Sequence, residues 1–548
     1  MIVLQKWALA AKWLGCIGTV IAIVPSEARR EASSLSIPRA ASTRCSPSCY
    51  PEGSAVFRAR LAMAATLRER IQHSLKIGFV SLGCPKNLVD TEVMMGQLVA
   101  DGHELTPQPA DADVIVVNTC SFIDLAKQES VGTILEMAEY KKTGKAQRLV
   151  VAGCLVERFR SDIQKNMPEV DAVLGTNELE KISALCEGLT PKCAAPEPYL
   201  YHDMTARVFT TPRHSAYIKI AEGCDHPCSF CIIPQFRGQF RSRRFESVVN
   251  EATRMFSMGV REVNLIGQDT TCYGEDFGLK DGLAELLARL ASIPTDLPKW
   301  VRFLYAYPNK VTQKLLDTIA AHDSLVKYID MPLQHASAPV LKRMKRGASA
   351  EIFLKLIERI RATIPGVGIR TSMIVGFPGE TEADFDALCQ FVQAAKFDRL
   401  GVFAYSDEET SQSFHLDAKV DKRLIYNRKR KLMSIQRRIS LARNKLLIGR
   451  ELPVLIEGPS QETGLLWEAR LTTQAPEIDG VCYINDFGPG EPRKGEIRML
   501  RISEAHDYDL VGELIDSPEH SYMSPERTAN PFQILNSTPA VSLGATIR

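Results

Sequence analysis

Apolar residues between positions 76 and 176 fall into short runs separated by longer stretches with helical spacing. The run KIGFVSL begins at Lys76, and ADVIVVNT, RLVVAG and DAVLGT follow it at intervals. Short runs rich in valine and isoleucine are typical of strands that are buried on both faces of a parallel sheet. The stretch LVDTEVMMGQLVADG has instead the spacing of an amphipathic helix. The pattern predicts an α/β domain with a parallel sheet over residues 76–190.

The same alternation returns six times between residues 210 and 445. The strand-like runs are AYIKIAEG, REVNLIGQ, VRFLYAYP, KYIDMPLQ, RTSMIVGFPG and RLGVFAYS. Amphipathic segments such as GLAELLARL and AEIFLKLIERIRATI lie between them. Six βα units predict a partial (β/α)6 barrel, whose chemistry is expected at the carboxyl ends of the strands.

The two ends of the chain differ from this central part. Short alternating runs in residues 450–515, among them LPVLIE and GEIRMLRI, predict a small β-barrel. Residues 517–548 are rich in Ser, Pro and Asn and are predicted to be disordered. Residues 1–75 are interpreted as an extension, either disordered or preceding the true start. Their run LGCIGTVIAIV resembles part of a targeting signal, which is the alternative, but it is too short to span a membrane.

Composition narrows the class of protein. The 548 residues are 45% hydrophobic and 24% charged, which is typical of a multidomain globular protein. The net charge of +2 indicates no general attraction to nucleic acid. Fourteen cysteines are too few for a disulfide scaffold of this length, and their clustering favours a reducing compartment, so a cytoplasmic protein without membrane contact is expected.

Each of the first three predicted strands ends in a cysteine, at Cys84, Cys120 and Cys154. These three residues, the amino-terminal cysteine set, are about one βα unit apart. Because the carboxyl ends of parallel strands meet at one edge of the sheet, the three thiols are expected to converge. Any one of them could instead be a small buried apolar residue. Their equivalent positions in successive units favour a metal site with three thiolate ligands.

The barrel contains a second cluster, GCDHPCSFC, directly after its first predicted strand. Cys224, Cys228 and Cys231 form this barrel cysteine set. Zinc normally takes four ligands, and His226, between two of the cysteines, is badly placed to complete a tetrahedron with all three. A CxxxCxxC triplet can instead hold three irons of a 4Fe-4S cluster and leave the fourth iron open.

This motif resembles that of the radical S-adenosylmethionine enzymes, and Phe230 resembles their usual aromatic residue before the last cysteine. The two cysteine sets together resemble the methylthiotransferases over residues 76–515. The resemblance implies an amino-terminal cluster domain, a radical barrel and a carboxyl-terminal TRAM domain. It also implies two 4Fe-4S clusters and two molecules of S-adenosylmethionine (SAM), one methylating a sulfur at the first cluster and one cleaved reductively to a hydrogen-abstracting radical.

The resemblance suggests further cofactor contacts at the ends of barrel strands. GFPGET looks like the loop that shapes the adenosyl pocket, with Gly376 and Glu380 as candidates; taken alone it is a tight turn. LQH contributes Gln334 and His335, and GQD contributes Gln268. The alternative for these side chains is a buried polar group that is bonded to the backbone.

The motif sequences resemble those of the RimO-type branch, whose enzymes methylthiolate an aspartate β-carbon in ribosomal protein S-twelve. This resemblance rests on four segments, GCPKNLVDTE, NTCSFIDLAKQES, EGCDHPCSFCIIP and YIDMPLQHAS. Two residues, Thr91 and Gln235, differ from the residues that are usual in this branch, but neither is a predicted cluster ligand. A monomer that acts on this protein or on the small ribosomal subunit, with an electron donor such as flavodoxin, is therefore expected. The alternatives are an enzyme that methylthiolates a tRNA adenosine and a non-catalytic iron–sulfur scaffold that binds ribosomes.

Charge is distributed unevenly in the carboxyl-terminal half. Residues 450–515 contain six basic and thirteen acidic side chains, a net charge of −7, which suits a basic protein partner better than phosphates. A solvated acidic surface is the alternative. The stretch Lys422–Lys445 is strongly basic and predicts a helix that either contacts RNA or is a solvated connector.

Overall fold

The computed structural model describes residues 74–189, 198–460 and 463–518, together with the backbone of a two-residue strand, Thr19–Val20. The predictions for residues 1–75 and 517–548 lie almost wholly outside these described residues and stay predictions. Within the described residues, no helix has both the length and the apolar character that a membrane crossing needs.

The amino-terminal domain is a mainly parallel sheet flanked by helices. Its strands are β1 (Thr19–Val20), β2 (Lys76–Ser81), β3 (Glu104–Thr106), β4 (Val114–Thr119), β5 (Arg148–Gly153) and β6 (Ala172–Leu174). Its helices are α1 (Pro85–Ala100), α2 (Asp124–Ala138), α3 (Tyr140–Thr143), α4 (Cys154–Asn166) and α5 (Ile182–Cys186). The order is β1-β2-β4-β5-β6, with β3 beside β2, and only β1 is antiparallel. The four predicted strands are present; β3, only three residues long, was missed.

The central domain contains the six predicted parallel strands. They are β7 (Ser215–Lys219), β10 (Glu262–Ile266), β11 (Trp300–Phe303), β12 (Tyr328–Asp330), β13 (Gly368–Val375) and β14 (Arg399–Ala404). They pair as β7-β10-β11 and β12-β13-β14, and a parallel bridge from Val301 to Leu325 joins the two halves. The partial barrel is therefore observed as predicted.

Helices and one short hairpin complete this domain. The helices are α6 (Ile233–Arg237), α7 (Phe245–Ser257), α8 (Gly282–Ala291), α9 (Gln313–Ala321), α10 (Ala338–Arg343), α11 (Ala350–Thr363), α12 (Glu382–Ala395) and α13 (Lys422–Lys445). The hairpin pairs β8 (Ala221–Glu222) with β9 (Arg241–Ser242) and encloses the barrel cysteine set. The apolar faces of strands and helices share one large core, which fixes the strand ends where the cysteines lie.

The carboxyl-terminal domain is a closed five-stranded barrel. Its strands are β15 (Glu451–Pro459), β16 (Trp467–Leu471), β17 (Cys482–Asp486), β18 (Ile497–Ala505) and β19 (Leu510–Leu514), closed in the order β15-β16-β17-β19-β18. Alternate residues such as Val454 and Ile456 point into a small apolar core.

Buried ion pairs connect the three domains. Glu92 of α1 accepts from Arg207 at 2.6 Å, which ties the first domain to the segment that precedes the barrel. Glu262 of β10 accepts from Arg470 of β16 at 2.5 Å and from Arg302 of β11 at 2.9 Å. Buried charges are tolerated only when they are paired in this way, so the pairs specify how the domains dock.

Candidate functional site

The amino-terminal cysteine set lies at the carboxyl edge of the first sheet. Cys84 precedes α1, Cys120 follows β4, and Cys154 is the first residue of α4 after β5. Burial and the neighbouring Cys84 raise the pKa of the Cys154 thiol to about 11, although Arg237 lowers it. Burial also raises the pKa of Cys120, with Cys154 and Cys84 adding to the effect. The three thiols therefore converge, as the sequence predicted.

A glycine turn makes room for this convergence. Gly83 has a φ of +92°, a conformation that side chains rarely adopt. A Cβ at this position would lie 2.7 Å from Cβ of Cys120 and 3.1 Å from its Sγ. A side chain at position 83 would therefore collide with Cys120, next to the turn that carries Cys84. The half-buried Cys84 and the buried Cys120 and Cys154 fit the thiolate ligand set of an iron–sulfur cluster.

The barrel cysteine set lies on the loop between β8 and α6. The backbone N–H of Cys231 donates to the carbonyl oxygen of Cys228 at 3.1 Å, which folds the CxxC half into a turn. Burial, together with Cys228 and Cys224, raises the pKa of Cys231 to about 12. The three thiols are thus close enough to interact and fit three ligands of one 4Fe-4S cluster.

His226 is directed away from this centre. Its Nε2 lies 2.6 Å from Oδ2 of the buried Asp269, and its ring stacks on Tyr307 with centroids 3.6 Å apart. Hydrogen bonding lowers the pKa of Asp269 below its usual value although burial raises it. His226, Asp269 and Cys272 lie within 4.8 Å of one another, but hydrogen bonds join them. His226 therefore anchors the cysteine loop and does not serve as its fourth ligand.

Arg346 also contacts this cysteine loop and the tyrosine beside it. Its guanidinium lies 4.4 Å from the centre of the Tyr307 ring, and its Nη1 lies 3.7 Å from Sγ of Cys228. A buried cation beside a thiolate stabilises negative charge on the sulfur.

A second arginine joins the two cysteine sets. Arg237, the last residue of α6, donates from Nη2 to Sγ of Cys154 at 3.1 Å and from Nη1 to Oδ2 of Asp90 at 2.7 Å. Glu222 also contacts this guanidinium and accepts from Lys219 at 2.6 Å. These acidic neighbours and Cys84 favour the charged form, and the pKa of Arg237 is raised well above its usual value although burial lowers it. The network thus connects Cys154 to Glu222, which lies two residues before Cys224 of the barrel set.

The carboxyl end of β11 also reaches both sets. Tyr305, at a φ of +67°, lies under Lys86, whose Nζ is 3.4 Å from the ring centre. Lys86 is two residues from Cys84, and both interact electrostatically with Tyr305. Tyr307, two residues along the chain, contacts the loop of the barrel set instead. One strand end therefore contributes a tyrosine to each side of the site.

Gln268 belongs to the ionic network. Its Nε2 donates to Oε1 of Glu222 at 2.5 Å, and its Oε1 is buried without a partner among the described residues. A bound molecule could use this free oxygen.

The other predicted contacts lie around the GFPGET loop. Gly376 donates its N–H to Oε2 of Glu380 at 2.7 Å, and Glu380 pairs with Arg428 of α13 at 2.8 Å. Nε2 of His335 lies 3.6 Å from Glu380 and has no hydrogen-bond partner among the described residues. Gln334 has a φ of +74°, and its backbone bridges Ser372 and Ile374 of β13. The four residues form a braced strand end, in which Gly376 and Glu380 bond to each other, and their contacts to a cofactor stay a prediction.

Sequence reasoning missed Arg237, Arg346, Asp90 and the two tyrosines. Arg237 follows Cys231 by six residues, and Tyr305 and Tyr307 end a predicted strand, so position relative to the motifs was the available signal. The residue types alone are ordinary for a buried ion pair or an apolar core.

Comparison with known proteins agrees with this architecture. Residues 76–175 match the Uncharacterized protein family UPF0004, residues 218–392 the Radical SAM superfamily and residues 448–515 the TRAM domain. The predicted fold class, a cluster domain followed by a radical barrel and a TRAM barrel, is therefore confirmed.

Curated relatives are similar over nearly their full length. A Ribosomal protein uS12 methylthiotransferase RimO of Solibacter usitatus (strain Ellin6076) is 73% identical over 451 residues, which cover 82% of this chain and 97% of the relative. The protein of the same description from Koribacter versatilis (strain Ellin345) is 58% identical, covering 82% of this chain and 98% of the relative. The solved radical S-adenosylmethionine methyltransferase TsrM from Kitasatospora setae has a TM-score of 0.44 and 15% identity, covering 60% of this chain and 75% of that one.

Proposed function

Because the chain belongs to the RimO family of radical SAM methylthiotransferases, we propose that it replaces one hydrogen on the β-carbon of an aspartate in ribosomal protein uS12 by a methylthio group. The observation that carries this proposal is that one strand end reaches both cysteine sets, because Tyr305 interacts with Cys84 and Tyr307 interacts with Cys228 and Cys224. A sulfur donor and a centre for hydrogen abstraction have to lie close to the same substrate carbon, and this arrangement provides that proximity.

Each cysteine set is proposed to hold one 4Fe-4S cluster. Cys84, Cys120 and Cys154 would bind the sulfur-donating cluster, and Cys224, Cys228 and Cys231 the radical cluster. When bound, these clusters and two molecules of SAM supply the sulfur, the methyl group, and the radical that removes the substrate hydrogen. Three thiolates at each set leave one iron of each cluster without a cysteine ligand.

The protein residues around the clusters have distinct tasks in this proposal. Arg237 and Arg346 each place a fixed positive charge beside one cysteine sulfur, at Cys154 and Cys228. Such charges stabilise the electron-rich sulfurs without reorganisation of solvent. Lys86 over Tyr305 covers the amino-terminal set, which limits access of water.

The braced strand ends are proposed to contact SAM. His335 and Gln268 each have a buried polar atom that finds no hydrogen-bond partner in the described part of the chain, which is costly unless a bound molecule supplies one. Gly376 and Glu380 shape the loop, and Gln334 presents its side chain from a left-handed backbone position. Positive φ at such a residue is typical of functional sites.

The partners follow from the substrate. The net charge of −7 on residues 450–515 supports docking of a basic protein such as a ribosomal protein. Reductive cleavage of SAM needs a one-electron reductant, for which flavodoxin is the proposed type. We propose a monomer that acts in the cytoplasm, where ribosomes are assembled.

Mass spectrometry of purified uS12 tests the reaction. The full chain, reconstituted anaerobically with iron and sulfide, would be incubated with uS12, SAM and a reductant, and a Cys224→Ala variant would serve as the control. A gain of roughly 46 mass units on one aspartate, absent with the variant, is expected for replacement of H by SCH3.

Other outcomes would identify the alternatives. Unmodified uS12 together with accumulating 5′-deoxyadenosine would contradict the substrate assignment and direct the test to tRNA. A fully loaded protein that never cleaves SAM would contradict the enzyme assignment and support the scaffold.

A further inference from the structure

Helix α13 has a cationic face that its packing does not use. The 24-residue helix contains ten basic residues and no acidic one. Ile425, Leu432 and Ile435 are buried against the barrel. Among the exposed cations of the helix, Arg423, Arg430, Arg437, Arg438 and Lys445 lie on the opposite side. We call these five residues the basic stripe.

The basic stripe is continuous along the helix. Arg423, Arg430 and Arg437 are seven residues apart, so they lie on one side two turns from each other. From Arg423 to Lys445 the stripe spans about 33 Å at 1.5 Å per residue. Within the described residues, Arg423, Arg438 and Lys445 contact no carboxylate within ion-pair distance, and Arg437 pairs with Asp507 at 3.1 Å. Most of this charge is thus available to an external anion.

We propose that the basic stripe binds RNA of the small ribosomal subunit, so that the enzyme recognises uS12 on a ribonucleoprotein particle. This inference rests on the proposed function and adds a second binding surface to it. A row of cations along 33 Å matches the phosphates of an RNA strand, and release of counterions would drive binding. The acidic TRAM domain beside the stripe repels phosphates and attracts a basic protein. The stripe would therefore bind RNA, and the TRAM domain would bind the protein.

A cavity beside the stripe adds a place for a base. It has a volume of about 810 Å³ and lies between α13 and the loop that follows β18. Met433 and Leu441 form an apolar wall, and Tyr508 offers an aromatic ring. Arg430 and Arg437 also line the cavity, as do Asp509 and Asp507, of which Asp507 pairs with Arg437. Proteins recognise single-stranded RNA by stacking unpaired bases on aromatic rings or guanidinium planes while cations hold the backbone. One unstacked base in this cavity would fix the position of the strand on the stripe.

The stripe begins next to the candidate active site. Ile425 packs against Gly376, where a Cβ would lie 2.2 Å from its Cγ1. Arg428, on the buried side of the helix, donates to Glu380 of the same loop at 2.8 Å. RNA held on the stripe would therefore have one end close to the loop that is proposed to contact SAM.

A charge-reversal variant tests the stripe. Arg423→Glu, Arg438→Glu and Lys445→Glu would be combined in the reconstituted full chain, and binding to RNA extracted from small ribosomal subunits would be measured over a range of salt concentrations. The control combines Lys165→Glu, Lys280→Glu and Lys355→Glu, three exposed lysines on other helices and loops with the same change in charge. We expect the stripe variant to bind about tenfold or more weakly, with a salt slope lower by about 2 to 3. Affinity equal to that of the control would overturn the proposal.

The cavity has its own test. Tyr508→Ala is expected to weaken binding of the extracted RNA about fivefold or more, because stacking of one base is lost. Tyr508→Phe keeps the ring and is expected to bind like the unsubstituted chain. Equal affinity of all three proteins would refute the role of the cavity in RNA binding.

A parallel assay on free uS12 separates this proposal from the proposed function. The stripe variant is expected to modify free uS12 within about twofold of the unsubstituted rate, but to modify uS12 in intact subunits at least about tenfold more slowly. If uS12 is modified and the stripe variant behaves normally with RNA and subunits, the RNA surface is wrong and the proposed function stands. If uS12 is never modified but RNA binding depends on the stripe, the proposed function fails and the RNA surface remains.

Discussion

Arg237 of the barrel domain donates a hydrogen bond from Nη2 to Sγ of Cys154 in the amino-terminal domain, across 3.1 Å. The guanidinium is buried and also contacts Asp90 and Glu222. A residue of the radical domain is thus in direct contact with a proposed ligand of the other cluster. This side chain thus connects Glu222, two residues before Cys224, to the amino-terminal cysteine set.

Replacement of Arg237 should change the potential of the amino-terminal cluster. In Arg237→Gln, loss of a positive charge disfavours the reduced cluster, and we expect its midpoint potential to fall by on the order of 60 mV, equal to about 1.4 kcal/mol for one electron. Redox titration followed by electron paramagnetic resonance measures this shift. Arg237→Lys keeps the charge and should shift the potential much less. Equal potentials in all three proteins would show that the contact does not tune the cluster.

Loss of single cysteines should remove the two clusters independently. Cys84→Ala is expected to lower bound iron from about eight to about four per chain and to leave SAM cleavage in place. Cys224→Ala should lower iron equally but abolish cleavage to 5′-deoxyadenosine. Iron analysis and chromatography of the nucleoside give both results. Retention of about eight irons in either variant would contradict the assigned ligands.

Gly83→Ala should damage the amino-terminal cluster specifically. The added Cβ would lie 2.7 Å from Cβ of Cys120, so the thiols would have to move apart. We expect about half of the bound iron to be lost, with SAM cleavage retained. Gly102→Ala is the matched control, because Gly102 has a φ of +97° but open space around it. An equal loss of iron in both variants would assign the effect to backbone strain alone.

Glu477 should make stability depend on pH. Burial raises the pKa of this carboxyl to about 8 in the folded protein, with Glu457 and Glu92 contributing. The folded state therefore holds a proton that the unfolded state releases near pH 4.3, so stability falls as the pH rises from about 4.3 to about 8.

Glu477→Gln removes this dependence, because the amide stays neutral. We expect the variant to melt higher than the unsubstituted chain at pH 8.5, by about 2–4 °C for each kcal/mol recovered, and to match it at about pH 4. Thermal unfolding at the two pH values provides the measurement, with the exposed Glu491→Gln as control. A variant that gains nothing at pH 8.5 would show that Glu477 is solvated.

Much of the molecule was predictable from local sequence. Strand runs such as ADVIVVNT recur with helical spacing between them, and burial of both sheet faces forces that pattern. The convergence of Cys84, Cys120 and Cys154 followed as well, because strand ends of a parallel sheet share one edge. The sequence did not predict the strands β3, β16 and β19. These short segments have no distinctive apolar pattern, and they become strands only because a neighbouring strand is present to pair with them.

Sequence alone thus determined the three domains and the two cysteine sets, because periodicity and ligand spacing are local properties. The tertiary structure decided that Arg237 reaches Cys154, that Tyr305 and Tyr307 serve opposite sides of the site, and that His226 turns to Asp269. These contacts join residues far apart in the chain, and they form because buried charges have to find partners once the domains dock.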